Sequence, residues 1–333
     1  MKKSNSSNAF PNVRLRRLRT TPAVRDLLQE TRLSTKDLIA PVFVQEGLKK
    51  PEEIGSMPDV QRLPLSRLDG EVDRILDLGI AAIILFGLPS CKDAEATSAF
   101  DARGIVQKSI ELVRKQFGSK VAIVTDVCLC QYTTHGHCAV LDEKGIKLDE
   151  TLDELAKSAV AFAEAGADGI SPSDMMDGRV GRIRSALDEN GFNLVPVMSY
   201  STKFASNFYG PFRNAADSAP QFGDRRHYQL DVRNRSGAIA ASVRCAEEGA
   251  DLLMVKPGLT SLDLIRPIHE RTGLQCGAYQ VSGEFGGLSV LADQGLIKFD
   301  EALLETWHVF KRAGAQYIIT YGARYAKSLG IGR

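Results

Sequence analysis

One pattern of hydrophobic and polar positions recurs along the chain: an amphipathic helical stretch ends, a small residue and a glycine follow, and an apolar run begins. The copies LDLGIAAIILF, AEAGADGISPS, AEEGADLLMVK and KRAGAQYIITY surround Gly79, Gly166, Gly249 and Gly314. Glycine just past a helix end is a typical C-cap, and a short β-branched run is typical of a buried parallel strand. Each copy therefore predicts a step from a helix to a strand.

The remaining apolar runs bring the number of predicted strands to eight. They are Leu38–Val44, Ala81–Gly87, Val121–Val127, Asp168–Ser173, Leu194–Ser201, Leu252–Lys256, Cys276–Ser282 and Tyr317–Gly322. Amphipathic segments between them, such as Thr151–Glu164, would form an outer ring of helices. The pattern predicts an α/β fold of the (β/α)8 TIM barrel type, with an N-terminal extension arm over residues 1–35 and a single catalytic barrel domain over 36–333.

An open, doubly wound sheet is the alternative architecture for such a pattern. That fold more often has a glycine-rich phosphate loop after its first strand, but the segment QEGLKKPEEIG after Val44 contains neither GxGxxG nor GKS. The closed barrel is therefore favoured, and its chemistry is expected at the C-terminal ends of the strands.

Polar residues stand at the ends of the third to eighth predicted strands. They are Asp126 and Cys128, then Ser173 and Asp174, then Ser199, Ser201 and Lys203, then Lys256, Ser282 and Tyr321. Each of them alone is typical of a satisfied loop residue. Together they predict a polar pocket at the mouth of the barrel.

Two lysines end neighbouring predicted strands. Lys256 lies in LLMVKPG, where burial on both faces of the strand disfavours an ammonium, and a neutral amine can attack a ketone to form an imine. Lys203, in SYSTKFAS, would repel Lys256 as a cation and lower a pKa further. The alternative, a side chain that reaches solvent, competes for Lys203 and is weaker for Lys256.

A cysteine cluster, Cys128-Leu-Cys130-x7-Cys138, follows the third predicted strand. Thiolates suit zinc, and three of them leave a fourth coordination position open, as in catalytic sites. The spacing does not match a zinc finger, and a thiol cluster without metal is the alternative. The other cysteines, which we expect to be small core residues, are Cys91, Cys245 and Cys276.

The segment between Phe204 and Arg235 has no helical or strand pattern and is rich in Gly, Pro, Asn and Arg. A stretch of this length is uncommon in a compact barrel unless it covers a site, so we interpret it as a lid. Arg213, Arg225 and Arg226 could bind a carboxylate through paired hydrogen bonds. A solvated charge is the alternative for each of them, and it is the preferred interpretation for Arg226.

Composition narrows the classes of partner. The 333 residues are 44% hydrophobic and 25% charged, and the formal net charge of +1 gives no field that would attract nucleic acid or an anionic membrane. No apolar run reaches the length of a bilayer span, and the first twenty residues contain no apolar signal core. We therefore expect a cytoplasmic protein with a small-molecule partner.

Several long segments together resemble the porphobilinogen synthase family, also called 5-aminolevulinate dehydratase. They are APVFV, TDVCLCQYTTHGHC, SPSDMMDGRVGRIRSALDENGF, MSYSTKFASNFYGPFR, FGDRRHYQ, LMVKPG, VSGEF and IITYGAR, which run from Ala40 to Arg324. The resemblance implies a barrel lyase that joins two 5-aminolevulinate molecules into porphobilinogen with loss of two waters, in tetrapyrrole (haem) synthesis.

The resemblance also implies roles for single residues. Lys256 would form a Schiff base with the substrate that becomes the propionate side, and Lys203 would serve the substrate that becomes the acetate side. Cys128, Cys130 and Cys138 would bind catalytic zinc. Arg213 and Arg225 would bind the acetate-side carboxylate, and Ser282 and Tyr321 would bind the propionate-side carboxylate. The residues that would line the pocket, relay protons or shape the pocket are Gln229, Asp126, Ser173, Tyr209 and Phe212, of which the last two shape it.

All three cysteines are retained, which is typical of the zinc-using members; others carry aspartates. The chain departs from the family at Gln131, where a proline is usual after the CLC motif. It also has Gly237 where many bacterial members have a glutamate that binds an allosteric magnesium, and Arg235 lies near it. The resemblance therefore predicts no allosteric magnesium.

The N-terminal segment belongs to no β/α unit. It is basic, with Arg14, Arg16, Arg17 and Arg19, and composition alone indicates a solvated arm. The resemblance implies instead an arm that wraps a neighbouring subunit in a homo-octamer, with a hexamer as the alternative assembly.

Two rival functions remain from the sequence. One is another lysine-imine barrel enzyme, such as an aldolase acting on a sugar phosphate, which would leave the cysteines and the second lysine without a role. The other is a zinc-binding paralogue that does not catalyse the reaction.

Overall fold

A computed structural model of the chain describes residues 14–55 and 57–331. They divide into two compact units, one ending at Arg32 and the other beginning at Leu33. In the first unit a 3-10 turn spans Leu15–Arg19 and helix α1 spans Pro22–Leu27, with Thr21 as its N-cap. Residues 1–13 of the predicted arm lie outside the described residues.

Eight parallel strands form the centre of the second unit. They are β1 (Leu38–Gln45), β2 (Ala82–Leu88), β3 (Ala122–Val127), β4 (Gly169–Pro172), β5 (Met198–Lys203), β6 (Leu252–Lys256), β7 (Gln275–Gln280) and β8 (Ile318–Thr320). Their hydrogen-bonded order is β4-β3-β2-β1-β8-β7-β6-β5. A parallel bridge between Ile170 and Val197 joins the two ends of this order, so the predicted (β/α)8 barrel is confirmed.

Helices follow the strands and cover the barrel. They are α2 (Leu68–Asp77), α3 (Ile105–Phe117), α4 (Leu148–Glu164), α5 (Arg179–Glu189), α6 (Gly210–Ala215), α7 (Arg235–Glu247), α8 (Leu262–Thr272), α9 (Ser282–Asp293) and α10 (Phe299–Ala313). Short antiparallel pairs join Glu52–Glu53 to Gln61–Leu63 and Leu141–Asp142 to Gly145–Ile146. Among the described residues, none of the helices is both long and apolar enough to cross a bilayer.

The recurring glycine junctions work as the pattern predicts. Gly79, Gly166, Gly249 and Gly314 have φ angles of +81°, +102°, +100° and +107°, which L side chains rarely adopt. Each glycine lets the chain reverse after a helix and enter a strand whose residues are almost all buried. Because these strands run parallel, the C-terminal ends of β2, β4, β6 and β8 lie on the same face of the barrel.

Three details of the prediction are wrong. The fifth strand begins at Met198 and not at Leu194, which is 92% exposed, because Pro196 has no N–H to donate to a neighbouring strand. The last two strands end at Gln280 and Thr320, so Ser282 and Tyr321 begin α9 and a 3-10 turn just beyond them. Cys91 is exposed in the loop after β2, whereas the other two predicted core cysteines are buried.

Candidate active site

The two lysines are neighbours at the mouth of the barrel. Lys256 is the last residue of β6, Lys203 is the last residue of β5, and the two are partners in the strand register. Their exposures are only 4% and 6%. The strand ladder therefore holds both amines side by side, away from bulk water.

Aromatic rings surround the amine of Lys256. Its Nζ lies 4.0 Å from the ring centroid of Tyr279, 4.9 Å from Tyr200, 5.0 Å from Phe212 and 5.7 Å from Tyr209. Burial and then the positive charge of Lys203 lower the pKa of Lys256 to about 7. A substantial fraction of the amine is therefore neutral at neutral pH, as a nucleophile requires.

Lys203 is bound to the neighbouring strand end. Its Nζ donates a hydrogen bond to the carbonyl oxygen of Ser173, just beyond β4, and lies 5.6 Å from the ring centroid of Tyr200. Asp126, on β3, is buried, and burial raises its pKa to about 6 although Lys203 and Lys256 act in the opposite direction. One of its oxygens, Oδ1, has no partner among the described residues.

Three buried thiols lie next to this pocket. The Sγ atoms of Cys128, Cys130 and Cys138 all lie within 4.8 Å of one another, and those of Cys128 and Cys130 are 3.3 Å apart. Burial raises the pKa of Cys128 well above its ordinary value, whereas hydrogen bonds from its two neighbours lower that of Cys130. This arrangement could hold a metal ion, and no other such group occurs among the residues described.

The segment predicted to be a lid, residues 204–235, lies over the lysines. The Tyr209 hydroxyl donates to the carbonyl oxygen of Lys256 at 3.1 Å, and the Phe212 N–H donates to Ser282 Oγ at 2.9 Å. The expectation of no regular structure is wrong for Asn207–Ala215, where a 3-10 turn leads into α6. The helix is short and begins with Gly-Pro, so its apolar pattern is too brief to detect in the sequence.

The lid also carries the arginines. Arg225 is 5% exposed, and its Nη2 donates to the carbonyl oxygens of Gly136, at 2.8 Å, and Ser218. Among the described residues, its Nε has no partner, and neither has the Nε of half-buried Arg213. Arg226 is exposed, as expected for a solvated charge.

Three further predicted residues, Tyr321, Ser282 and Gln229, are buried. The Tyr321 hydroxyl lies 3.1 Å from that of Tyr279, and Ser282 is fully buried at the start of α9. Gln229 is 3% exposed, and neither its Oε1 nor its Nε2 has a partner in the part of the chain that the structure describes. An unpaired buried amide costs free energy unless a ligand satisfies it, which is typical of a binding pocket.

Tyr200 and Tyr279 also belong to the site, although the sequence pattern did not predict them. Each lies inside a buried strand, and together they provide the two rings closest to the Lys256 amine. A tyrosine inside a buried strand brings a polar hydroxyl into the barrel interior, and this signal could have revealed them: the Tyr279 hydroxyl contacts that of Tyr321, and the Tyr200 hydroxyl has no partner among the described residues.

A parallel eight-stranded barrel with two buried amines and three clustered thiols at its C-terminal face defines a barrel enzyme for a small carbonyl substrate. The family model "ALAD: Delta-aminolevulinic acid dehydratase" matches residues 12–329. The chain belongs to the delta-aminolevulinic acid dehydratase family.

Individual relatives agree with this assignment. A delta-aminolevulinic acid dehydratase of Halalkalibacterium halodurans is 50% identical over 93% of this chain and 94% of its own length, and that of Bacillus subtilis is 48% identical over 94% and 96%. A crystal structure of the Toxoplasma gondii ME49 enzyme in complex with its reaction product porphobilinogen superposes with a TM-score of 0.92 at 40% identity, covering 95% of this chain and 91% of that one.

Proposed function

We propose that this protein is a porphobilinogen synthase that joins two 5-aminolevulinate molecules with loss of two waters, in tetrapyrrole synthesis. Relatives about half identical over nearly the whole chain are named delta-aminolevulinic acid dehydratase, and the Toxoplasma gondii enzyme of that name is also called porphobilinogen synthase. The observation that carries the mechanism is the pair of buried amines, Lys256 and Lys203, held as register partners beside three thiols.

Lys256 is the nucleophile for the substrate that becomes the propionate side. Its neutral amine attacks the ketone carbon and forms a carbinolamine, which loses water to give an imine. The pKa near 7 supports this role because it leaves much of the amine unprotonated. The facing rings of Tyr279, Tyr200 and Phe212 stabilise the iminium cation and exclude water that would hydrolyse it.

Lys203 forms the imine with the substrate that becomes the acetate side. Its hydrogen bond to the Ser173 carbonyl holds the amine at the strand end, 5.6 Å from the ring of Tyr200 that also faces Lys256. Two imines anchored on adjacent strands bring their substrates together, which gives the effective concentration that carbon–carbon and carbon–nitrogen bond formation needs. Asp126 and Ser173 take protons from the two bound substrates and return protons to them.

The carboxylates of the two substrates orient them. Arg213 and Arg225 each retain an unpaired Nε that can donate to the acetate-side carboxylate. Ser282 and Tyr321 donate hydroxyls to the propionate-side carboxylate, and Gln229 offers an unpaired amide at the pocket wall. Tyr209 and Phe212 shape the pocket beneath the lid.

Zinc fits the thiol site. Cys128, Cys130 and Cys138 present three soft donors within 4.8 Å of one another, as a three-thiolate zinc site with one open position requires. When bound there, zinc supplies a Lewis acid beside the amines. The assignment to the zinc-using members of the family rests on these residues, and no allosteric magnesium is proposed, because Gly237 offers no carboxylate where many bacterial members have one.

We also propose that the protein acts in the cytoplasm as a homo-octamer whose basic N-terminal arm, residues 1–35, wraps a neighbouring subunit of the barrel domain. A hexamer is the alternative assembly. Mass photometry of the full chain and of a chain lacking the arm separates these states, and a full chain that stays monomeric would contradict the proposal.

One assay tests the reaction. Purified protein is incubated with 5-aminolevulinate, and pyrrole is measured with Ehrlich's reagent, with and without a zinc chelator and for Lys256→Ala and Cys130→Ala. We expect pyrrole only from the wild-type protein without chelator. Metal uptake without any pyrrole would favour the non-catalytic paralogue, and turnover of a sugar phosphate without pyrrole would favour the aldolase.

A further inference from the structure

His137 connects the thiol loop to the lid. It is 6% exposed and directly precedes Cys138, yet both of its ring nitrogens contact residues on the lid. Nε2 lies 2.9 Å from the carbonyl oxygen of Phe222, and Nδ1 lies 3.1 Å from the hydroxyl of Tyr228. A carbonyl oxygen only accepts, so Nε2 donates to Phe222, and in the neutral ring Nδ1 accepts from the tyrosine hydroxyl.

The hydrogen bonds form one directed chain. The backbone N–H of Cys138 donates to the Tyr228 hydroxyl at 3.4 Å, this hydroxyl donates to His137, and His137 donates to Phe222. The Phe222 ring also packs on the imidazole, with centroids 4.9 Å apart. This series of hydrogen bonds connects Cys138, a predicted metal ligand, to Phe222 on the lid.

Neighbouring contacts fasten the same two segments together. The Gln221 N–H donates to the carbonyl oxygen of His135 at 3.0 Å, and Arg225 donates to that of Gly136 at 2.8 Å. Gly136 has a φ of +70°, and a Cβ there would lie 2.3 Å from the carbonyl oxygen of Ala219. The backbones of the loop and the lid therefore approach as closely as a glycine allows.

We propose that His137 is a positioning residue that fastens the lid to the thiol loop, so that a metal ion bound by the cysteines orders the lid and sets Arg225 in place. The inference rests on the metal site proposed above. An ion fixes the separations of three thiols, whereas in its absence the contacts that join them are weak S–H hydrogen bonds. The hydrogen-bonded chain through His137 carries that difference to the lid.

Hydrogen exchange followed by mass spectrometry tests this coupling on the full chain. Zinc-loaded and chelator-treated samples are compared for the wild type, His137→Ala, His137→Gln and Tyr228→Phe, with His227→Ala as the control because His227 is an exposed histidine on the lid. The zinc content of each sample is measured in parallel. Peptides from β1 and β2 report whether each variant is folded.

In the wild type and in His227→Ala, we expect zinc to slow exchange over residues 217–228 by about 10-fold. In His137→Ala and Tyr228→Phe the same peptides should exchange fast with or without zinc, although zinc is still bound. Gln can donate to the Phe222 carbonyl from a position near that of Nε2, so His137→Gln should recover part of the protection.

The outcomes separate the two proposals. Bound zinc with no effect on lid exchange in the wild type overturns the coupling and leaves the metal site intact. Loss of zinc from His137→Ala overturns the positioning role, because His137 would then act on the metal site itself. A wild type that binds no zinc overturns the metal site and the coupling with it.

Discussion

Lys256 and Lys203 are paired residue for residue on adjacent barrel strands, so their amines project from the same rim. Parallel strands place register partners at the same height, and the barrel offers no solvent to separate two buried cations. Burial lowers the pKa of Lys256 most, and the positive charge of Lys203 lowers it further, to about 7. The reactivity proposed for Lys256 therefore arises from its burial and from the strand register that places Lys203 beside it.

This relationship predicts a pH dependence. Below pH 7 the Lys256 amine gains a proton and cannot attack a ketone, so the rate of imine formation should fall about tenfold for each pH unit below that pKa. Lys203→Met removes the neighbouring positive charge and should move the midpoint upward by about one unit. The midpoint is measured from the rate at which the borohydride-trapped adduct forms on Lys256 at a series of pH values. An unchanged or lower midpoint would show that Lys203 does not act on Lys256.

Adjacent lid arginines should differ sharply. Arg225 is buried and donates to two carbonyl oxygens, whereas Arg226 is exposed. Arg225→Lys loses the planar fork and should raise KM by about 10-fold or more, because a hydrogen bond to a charged group contributes roughly 1.5 to 3 kcal/mol. Arg226→Lys should leave KM within about twofold of the wild type. Equal effects in steady-state kinetics would remove Arg225 from the substrate site.

Substitution of a cysteine in the thiol site should weaken zinc binding, whereas substitution of a cysteine elsewhere should not. Replacing Cys130 with Ala leaves two donors for zinc and should weaken zinc binding by more than about 100-fold, since even residues that only support a ligand contribute 10- to 100-fold. Cys91→Ala, at an exposed cysteine, is the control. Zinc content after dialysis against a competing chelator is the measurement. Equal retention of zinc by both variants would contradict the site.

Two glycines test the packing of the barrel. A Cβ on Gly277, in β7, would lie 2.2 Å from the ring of Tyr317, so Gly277→Ala should lower the free energy of unfolding by about 1 to 3 kcal/mol. At Gly287, inside α9, no described atom other than its chain neighbours and the nearby helix backbone lies within 4 Å of an ideal Cβ, so Gly287→Ala should raise the free energy of unfolding by up to about 1 kcal/mol. Urea denaturation measures both. Shifts of the same sign would contradict this account of the core.

The barrel was predictable because its local patterns agree with its tertiary structure. All eight strands form where apolar runs predict them, and glycines such as Gly249 end the preceding helices with positive φ. The errors have local causes: Pro196 delays β5, and the short α6 lies within a segment of turn-forming residues. The presence of a strand can be predicted from a run of many residues, whereas the residue at which it begins or ends depends on single hydrogen bonds.

The site was predictable in its charged and sulfur-containing residues and less so in its aromatic ones. A lysine is unusual at a buried strand end, so Lys256 stands out in the sequence, and Cys130 stands out because three cysteines lie within eleven residues. A tyrosine in a strand is ordinary, and only the three-dimensional arrangement shows the ring of Tyr279 facing the amine at 4.0 Å. The link from His137 to Tyr228 joins residues far apart in sequence and follows from no local pattern.

The measurement that tests the central claim most directly is covalent trapping. The protein is incubated with 5-aminolevulinate and borohydride at pH 8, digested, and mapped by mass spectrometry. We predict a reduced adduct on Lys256, with a second on Lys203 at higher substrate concentration. Pyrrole formation with no adduct on Lys256, or with the adduct on a lysine outside the barrel mouth, would contradict the account.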